Sequence, residues 1–204
     1  MIKAIVFDIG GVLADLDAAL CLRTFREEIG YTRMEEMLGL SEQKGIFGEM
    51  ERGVRTEREF CEAIVKESRE GTRPEDVVRC LQTFITGVPK EKTDLLESLS
   101  QKYPLYFLSN NNPIAMDITH RYFEENGFDW RNRIRKEFLS FEMHMMKPGA
   151  AIFQEAIRQI GLPPEEILYI DDSKTNVEAA AGNGLKALWY EPGTDLAALI
   201  LPVL

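Results

Sequence analysis

Acidic side chains stand where two short apolar runs of the chain end. Asp8 follows residues 4–7, and the pair Asp171 and Asp172 follows residues 168–170. Three carboxylates gathered in one place repel one another unless a cation lies between them. A hard divalent ion such as magnesium prefers oxygen ligands and needs only one or two carboxylates beside phosphate and water oxygens. These residues therefore predict a magnesium site suited to phosphate chemistry.

Polar residues in two further segments could complete such a site. Ser109, Asn110 and Asn111 follow the apolar residues 106–108, and Lys147 precedes a predicted helix. A lysine and a hydroxyl can hold the non-bridging oxygens of a phosphoryl group, and the main-chain N–H groups of the two asparagines are further donors. Together with the carboxylates, these groups favour phosphoryl transfer.

The elements that must bring these residues together alternate along the chain. We predict strands and helices in turn: strands over 3–7, 105–108, 134–138, 167–170 and 187–190, and helices over 90–102, 113–126, 150–160, 173–183 and 196–204. Such alternation predicts parallel strands joined by right-handed helical crossovers. The carboxyl ends of parallel strands share one edge of the sheet, so the polar residues would converge there.

One long segment, residues 16–86, interrupts this alternation. It contains charged amphipathic segments and turn signals but no convincing strand. We therefore predict an α/β fold: a Rossmann-like, doubly wound parallel sheet core of residues 1–15 and 87–204, with a small α-helical bundle cap of residues 16–86. An insert at that place would lie over the carboxyl ends of the strands, where α/β sheets bind ligands. Cap residues that could face the site are Phe47, Glu51 and Arg52.

Composition narrows the expected partners and location. The net charge of -10 over 204 residues disfavours binding to nucleic acid or an anionic membrane. The first apolar run is too short for a signal peptide or a membrane span. Three cysteines without CxxC spacing are typical of buried apolar residues in a reducing compartment. We expect a cytoplasmic protein whose partner is a small molecule.

Four segments resemble, in order, the four motifs of the haloacid dehalogenase-like hydrolase superfamily: FDIGGVL, FLSNNN, MKPGAAIFQ and YIDDSKTNVEAA. The helical insert after the first motif is similar to the cap of the sugar-phosphate phosphatase branch. The resemblance implies a magnesium-dependent phosphatase that forms an aspartyl phosphate while hydrolysing a small metabolite, for example a sugar phosphate.

The resemblance also implies which residues bind the metal. Asp8 would be the nucleophile and a magnesium ligand. Gly10 would offer only its backbone carbonyl to the ion. Asp172 would bind magnesium directly, and Asp171 would bind it through water or hold Lys147.

Phosphate-binding roles follow from the same resemblance. Ser109, Asn110 and Lys147 would bind the phosphate, and Lys147 would also screen Asp8 from its charged substrate. Asn176 would support the fourth motif.

Gly10 departs from the pattern of most phosphatases in this superfamily, which carry a second aspartate there as the general acid and base. Such help is worth about a hundredfold to ten-thousandfold in rate. One hypothesis is a leaving group that needs little protonation, such as the anomeric oxygen of a sugar 1-phosphate, because the chain resembles glucose-1-phosphate phosphatases that have glycine at this place. A second is that Asp15 or Asp17 reaches back to do the work.

Three other functions remain open from the sequence. Hydrolytic 2-haloacid dehalogenases also lack the second aspartate, although the pair Asp171 and Asp172 would repel an anionic haloacid. A binding or regulatory protein could keep the fold without turnover. A phosphotransferase or mutase would pass the group to another hydroxyl.

Overall fold

The computed structural model describes residues 1–39 and 44–204. Seven strands lie in this part of the chain: β1 (Ala4–Phe7), β2 (Asp15–Leu16), β3 (Ile85–Gly87), β4 (Leu105–Ser109), β5 (Ile134–Leu139), β6 (Ile167–Asp171) and β7 (Lys186–Trp189). The α-helices of the same part are α1 (Ala18–Ile29), α2 (Met34–Met37), α3 (Gly45–Glu51), α4 (Glu57–Lys66), α5 (Pro74–Gln82), α6 (Lys90–Ser100), α7 (Pro113–Glu125), α8 (Trp130–Arg133), α9 (Ser140–Met143), α10 (Ala150–Ile160), α11 (Lys174–Gly182) and α12 (Leu196–Ile200).

The main sheet is parallel and has the strand order β5-β4-β1-β6-β7. Strand β1 lies at its centre and pairs in parallel with β4 on one side and β6 on the other. The chain winds outward from β1 first through β4 and β5 and then through β6 and β7. Such a reversal opens a crevice at the carboxyl ends of the strands. The predicted doubly wound α/β fold is confirmed.

Successive residues of β1 face opposite sides of the sheet, as the pleat of a strand requires. Ile5 and Phe7 belong to the apolar core that includes residues of α6, α7 and α12. Ala4 and Val6 belong to a second core with residues of α10 and α11. Helices therefore cover both faces, and this explains the uninterrupted apolar run that ends at Asp8.

The helical insert, which comprises α1 to α5, has an apolar core of its own. Phe25, Phe47 and Phe60 are fully buried within it. Ile114 at the start of α7 joins the same cluster and connects it with the sheet domain. The three cysteines, Cys21, Cys61 and Cys80, are buried and unpaired, as the sequence predicted.

A short antiparallel ribbon closes the base of the helical insert, and its presence corrects the prediction that residues 16–86 contain no strand. Asp15 of β2 lies opposite Gly87 of β3, and Leu16 lies opposite Ile85. Strands of two and three residues are too short to show an alternating pattern, so the sequence carried little signal for them. The proposed boundaries, between residues 15 and 16 and between 86 and 87, fall inside this ribbon and stay a prediction.

The five core strands lie within one residue of their predicted bounds at each end. The last helix differs, because the predicted helix over 196–204 ends at Ile200 and a 3-10 turn follows over Leu201–Val203. Pro202 cannot donate the hydrogen bond that would continue an α-helix. Across the described residues, no helix is both long enough and apolar enough to cross a membrane.

Replacing Phe107 by alanine is expected to lower the free energy of unfolding by about 3–5 kcal/mol, because it leaves a cavity in the core. Phe107 is fully buried in β4, and its ring stacks on Phe123 with 5.7 Å between centroids. Urea denaturation would measure the loss. The control is Val54→Ala, at a position 72% exposed, for which a change under about 0.5 kcal/mol is expected. A similar loss in both variants would contradict the placement of Phe107.

Candidate active site

Asp8 follows β1 at the sheet crevice and pairs with a buried lysine. Lys147 Nζ lies 3.0 Å from Asp8 Oδ1 and 2.7 Å from Asp171 Oδ2. The N–H of Ile9 donates to Asp8 Oδ1 at 2.7 Å. The Lys147 side chain is 1% exposed, and despite its burial the two carboxylates keep the pKa of its ammonium above the ordinary value. The lysine therefore stays charged between them.

Asp171 is fully enclosed, and its two oxygens accept hydrogen bonds from several donors besides Lys147. These donors are the hydroxyl of Tyr169, the N–H of Ser173 at 2.8 Å and the amide of Asn176 at 3.1 Å. Burial raises the pKa of Asp171, but the charge of Lys147 and these hydrogen bonds outweigh it and hold the pKa below its ordinary value. Asp171 is thus an ionised anchor for the lysine.

Asp8, Asp171 and Asp172 each offer a carboxylate oxygen, and the three oxygens lie within 4.8 Å of one another. Burial raises the pKa of Asp8, and the charges of Asp171 and Asp172 raise it further against the opposing effect of Lys147. Burial and the charge of Asp171 likewise raise the pKa of Asp172. One lysine does not balance three carboxylates, so the cluster fits a hard divalent cation that would favour their ionised forms.

Gly11 allows Asp172 to come close to the loop after β1. Its φ of 74° lies in the left-handed region, and a Cβ on Gly11 would stand 2.2 Å from Asp172 Oδ2. Only glycine fits both conditions. The conformation of Gly11 is therefore coupled to the position of Asp172 in the acidic cluster.

The carboxylate cluster opens into a cavity of about 310 Å³, whose walls include Ser109, Asn110 and Lys147. The Asn110 side chain is engaged with the main chain of Lys147: it donates to the carbonyl and accepts from the N–H, both at 2.9 Å. The N–H of Asn111 donates to Ser140 Oγ at 3.0 Å. The expectation that the Asn111 N–H donates to phosphate is therefore not met, because this N–H already has a partner. Since the Asn110 side chain is also engaged, only the main chain of Asn110 could contact phosphate.

Gly10 lines the same cavity, and Leu16 lies beside it. The two methyl carbons of Leu16 stand 3.4 and 3.8 Å from the place of a Cβ on Gly10. An apolar side chain therefore occupies the space beside position 10, where most phosphatases of the resembled superfamily carry an aspartate.

Neither aspartate suggested as a substitute lies in the cavity wall. Asp15 is exposed in β2, and its Oδ1 lies 3.4 Å from Lys92 Nζ. Asp17 caps α1 by accepting from the N–H of Leu20 at 2.8 Å. The pairing of β2 with β3 holds this segment at the base of the helical insert, so the geometry speaks against either aspartate reaching Asp8.

The three residues of the helical insert suggested from the sequence lie in different places. Glu51 is buried and lines the cavity with Asp8. Arg52 lines a neighbouring cavity together with His144 and Lys147. Phe47 is not at the site, because it belongs to the core of the helical insert. The signal for Glu51 in the sequence is weak: an acid at the end of an apolar helix beside the turn at Gly53.

Comparison with known proteins places this geometry in a family. The family model described as haloacid dehalogenase-like hydrolase matches residues 2–184. D-ribitol-5-phosphate phosphatase from Bacteroides thetaiotaomicron is 30% identical over 196 residues, which are 96% of this chain and 95% of that protein.

Two solved structures are similar over nearly the whole chain. One is a HAD family enzyme from Bacteroides thetaiotaomicron in complex with magnesium and inorganic phosphate, with a TM-score of 0.90, 32% identity, and coverage of 98% of this chain and 100% of the other. The other is a predicted HAD-like family hydrolase from Porphyromonas gingivalis, with a TM-score of 0.89, 33% identity, and coverage of 100% and 98%. The chain belongs to the haloacid dehalogenase-like hydrolase family.

Proposed function

We propose that this protein is a magnesium-dependent phosphatase that hydrolyses a small phosphate ester through a phosphorylated Asp8. The observation that carries the proposal is the cluster of Asp8, Lys147, Asp171 and Asp172 at the sheet crevice. The related enzyme solved with magnesium and inorganic phosphate supports the same chemistry.

The side chains have separable tasks in this reaction. Asp8 would attack phosphorus with a carboxylate oxygen, forming an aspartyl phosphate as the ester oxygen departs. Lys147 would hold a non-bridging phosphate oxygen and lessen the repulsion between Asp8 and its substrate. The Ser109 hydroxyl, in the cavity wall, would donate to another phosphate oxygen. Asp171 would act indirectly, by fixing the lysine.

Magnesium fits the acidic side of the cavity. Asp8, Asp172 and the carbonyl of Gly10 would hold the ion, and the contacts of Asp171 favour its role as the partner of Lys147. When bound, magnesium supplies positive charge that offsets the negative charge of the phosphate group. Asn176 supports the arrangement through its amide hydrogen bonds to Asp171.

A sugar or sugar-alcohol phosphate is the substrate class we favour. The cavity of about 310 Å³ suits a small metabolite, and a relative is named for ribitol 5-phosphate. Three buried, unpaired cysteines support a cytoplasmic setting, where such metabolites occur.

Replacing Asp8 by asparagine is expected to reduce phosphate release by about ten-thousandfold or more, because the variant lacks the nucleophile. Steady-state assays with p-nitrophenyl phosphate and with sugar and sugar-alcohol phosphates would measure the rate. Asp15→Asn is expected to retain turnover, since Asp15 faces Lys92 rather than the cavity. Loss of turnover in both variants would revive Asp15 as a participant, and turnover by Asp8→Asn would overturn the proposed mechanism.

Removal of the metal by a chelator is expected to abolish turnover, because three carboxylates then lose their counter-ion. Excess magnesium is expected to restore it. Asp172→Asn is expected to raise the magnesium concentration for half-maximal rate by at least about tenfold. Its matched control is Asp94→Asn, an exposed acid that pairs with Lys90. Activity that survives chelation would favour a metal-independent reaction such as dehalogenation.

A further inference from the structure

Hydrolysis of an ester of an ordinary alcohol requires a proton for the departing oxygen. Gly10 has no side chain to supply it, and the alkoxide of a primary alcohol, such as the one in ribitol 5-phosphate, is a poor leaving group. Given the proposed function, another group of this chain must supply that proton.

Four ionisable side chains line the cavity within the described part of the chain: Asp8, Glu51, Lys147 and Asp172. Three of them already have tasks, as the nucleophile, the phosphate-binding cation and the proposed metal ligand. Glu51 is the remaining group, and it comes from the helical insert rather than from the sheet.

Glu51 is the last residue of α3 and is only 7% exposed. Among the described residues, no hydrogen bond or ion pair reaches its carboxyl group. Buried carboxyl groups are ordinarily paired, since desolvation without a partner is costly. A buried carboxyl without such a partner in a cavity wall is available to a ligand that enters the cavity.

The main chain around Glu51 is tied to the loop that follows β4. Ser140 Oγ donates to the carbonyl of Glu51 at 2.6 Å, and the same oxygen accepts from the N–H of Asn111 at 3.0 Å. At the neighbouring Gly53, with φ of 68°, a Cβ would stand 2.1 Å from the carbonyl oxygen of Phe141. These contacts fix the main chain of the turn against the loop after β4 and keep Glu51 in the cavity wall.

Burial raises the pKa of Glu51 to about 8, and the charge of Asp8 raises it while Arg52 opposes the rise. A carboxyl group in this range holds a proton near neutral pH and can release it to a departing oxygen. Glu51 and Asp8 line the same cavity, although no hydrogen bond joins them.

We propose that Glu51 is the general acid and base of this enzyme, in place of the aspartate that is absent at position 10. In the first step an Asp8 oxygen bonds to phosphorus, the ester P–O bond breaks, and the Glu51 carboxyl gives its proton to the departing oxygen. In the second step the Glu51 carboxylate takes a proton from water as the water oxygen bonds to phosphorus. The bond between phosphorus and Asp8 then breaks, and Asp8 and protonated Glu51 are restored.

The test compares Glu51→Gln with the wild type on two esters in the presence of magnesium: p-nitrophenyl phosphate, whose leaving group needs little protonation, and a primary sugar-alcohol phosphate. With the sugar-alcohol ester, Glu51→Gln is expected to lose about a hundredfold to ten-thousandfold in kcat/KM. With the aryl ester, the variant is expected to release about one nitrophenolate per active site in a burst, followed by slow turnover, because the water step still lacks its base.

Glu49→Gln is the matched control, since Glu49 lies on the same helix but pairs with Arg55 outside the cavity. It is expected to keep the wild-type rate with both esters. A rate near wild type in Glu51→Gln, or an equal loss of kcat/KM on both esters without a burst, would overturn the assignment and leave Glu51 a structural or substrate-binding residue.

The wild-type enzyme gives a second test that needs no variant. Protonation of the departing oxygen makes kcat/KM nearly independent of the pKa of the alcohol across a series of esters. A steep fall with rising pKa would overturn the role of Glu51 even if the variant does not fold. Failure of the wild type to release phosphate from any ester would instead reject the proposed function itself.

Discussion

One buried ammonium group shared by two carboxylates is the interaction on which the rest of the site depends. Lys147 bridges Asp8 and Asp171, and so joins the ends of β1 and β6 to the loop before α10. The Asn110 side chain holds the main chain of Lys147 and adds the end of β4. Removing one partner of such a buried pair leaves the other charge buried and unpaired, which lowers the free energy of unfolding by about 3–5 kcal/mol. The ends of β1, β4 and β6 and the loop before α10 are thus held in fixed positions relative to one another.

The sheet domain and the helical insert contribute different things to the cavity. The sheet edge supplies the carboxylates, the lysine and Ser109, which act on the phosphoryl group in the proposed mechanism. The helical insert supplies Glu51, and Leu16 in the ribbon at its base adds an apolar wall. Ser140 connects the two parts, because its one oxygen bonds both Glu51 and Asn111. In the proposed mechanism the helical insert therefore acts on the leaving group, through Glu51.

The sequence predicted the sheet and its acidic cluster because both follow from local patterns. Apolar runs buried on both faces mark β1 and β6, and the residues just beyond them must meet at the carboxyl edge. The sequence could not predict contacts set by tertiary packing. Ser140 and Glu51 are 89 positions apart, and Asn110 and Lys147 are 37 apart. The short ribbon of β2 and β3 likewise depends on pairing across the helical insert rather than on any local preference.

That ribbon has a consequence for how such a protein can change over evolutionary time. Because β2 and β3 pair, the chain leaves the sheet domain and returns to it at neighbouring points. For the sheet domain, the helical insert between β2 and β3 is therefore equivalent to a closed loop. The entropy of closing a loop grows slowly, by about 0.6 kcal/mol for each doubling of its length. Bundles of other sizes could replace this one and bring new substrate preferences, while the phosphoryl-transfer apparatus beneath stays the same.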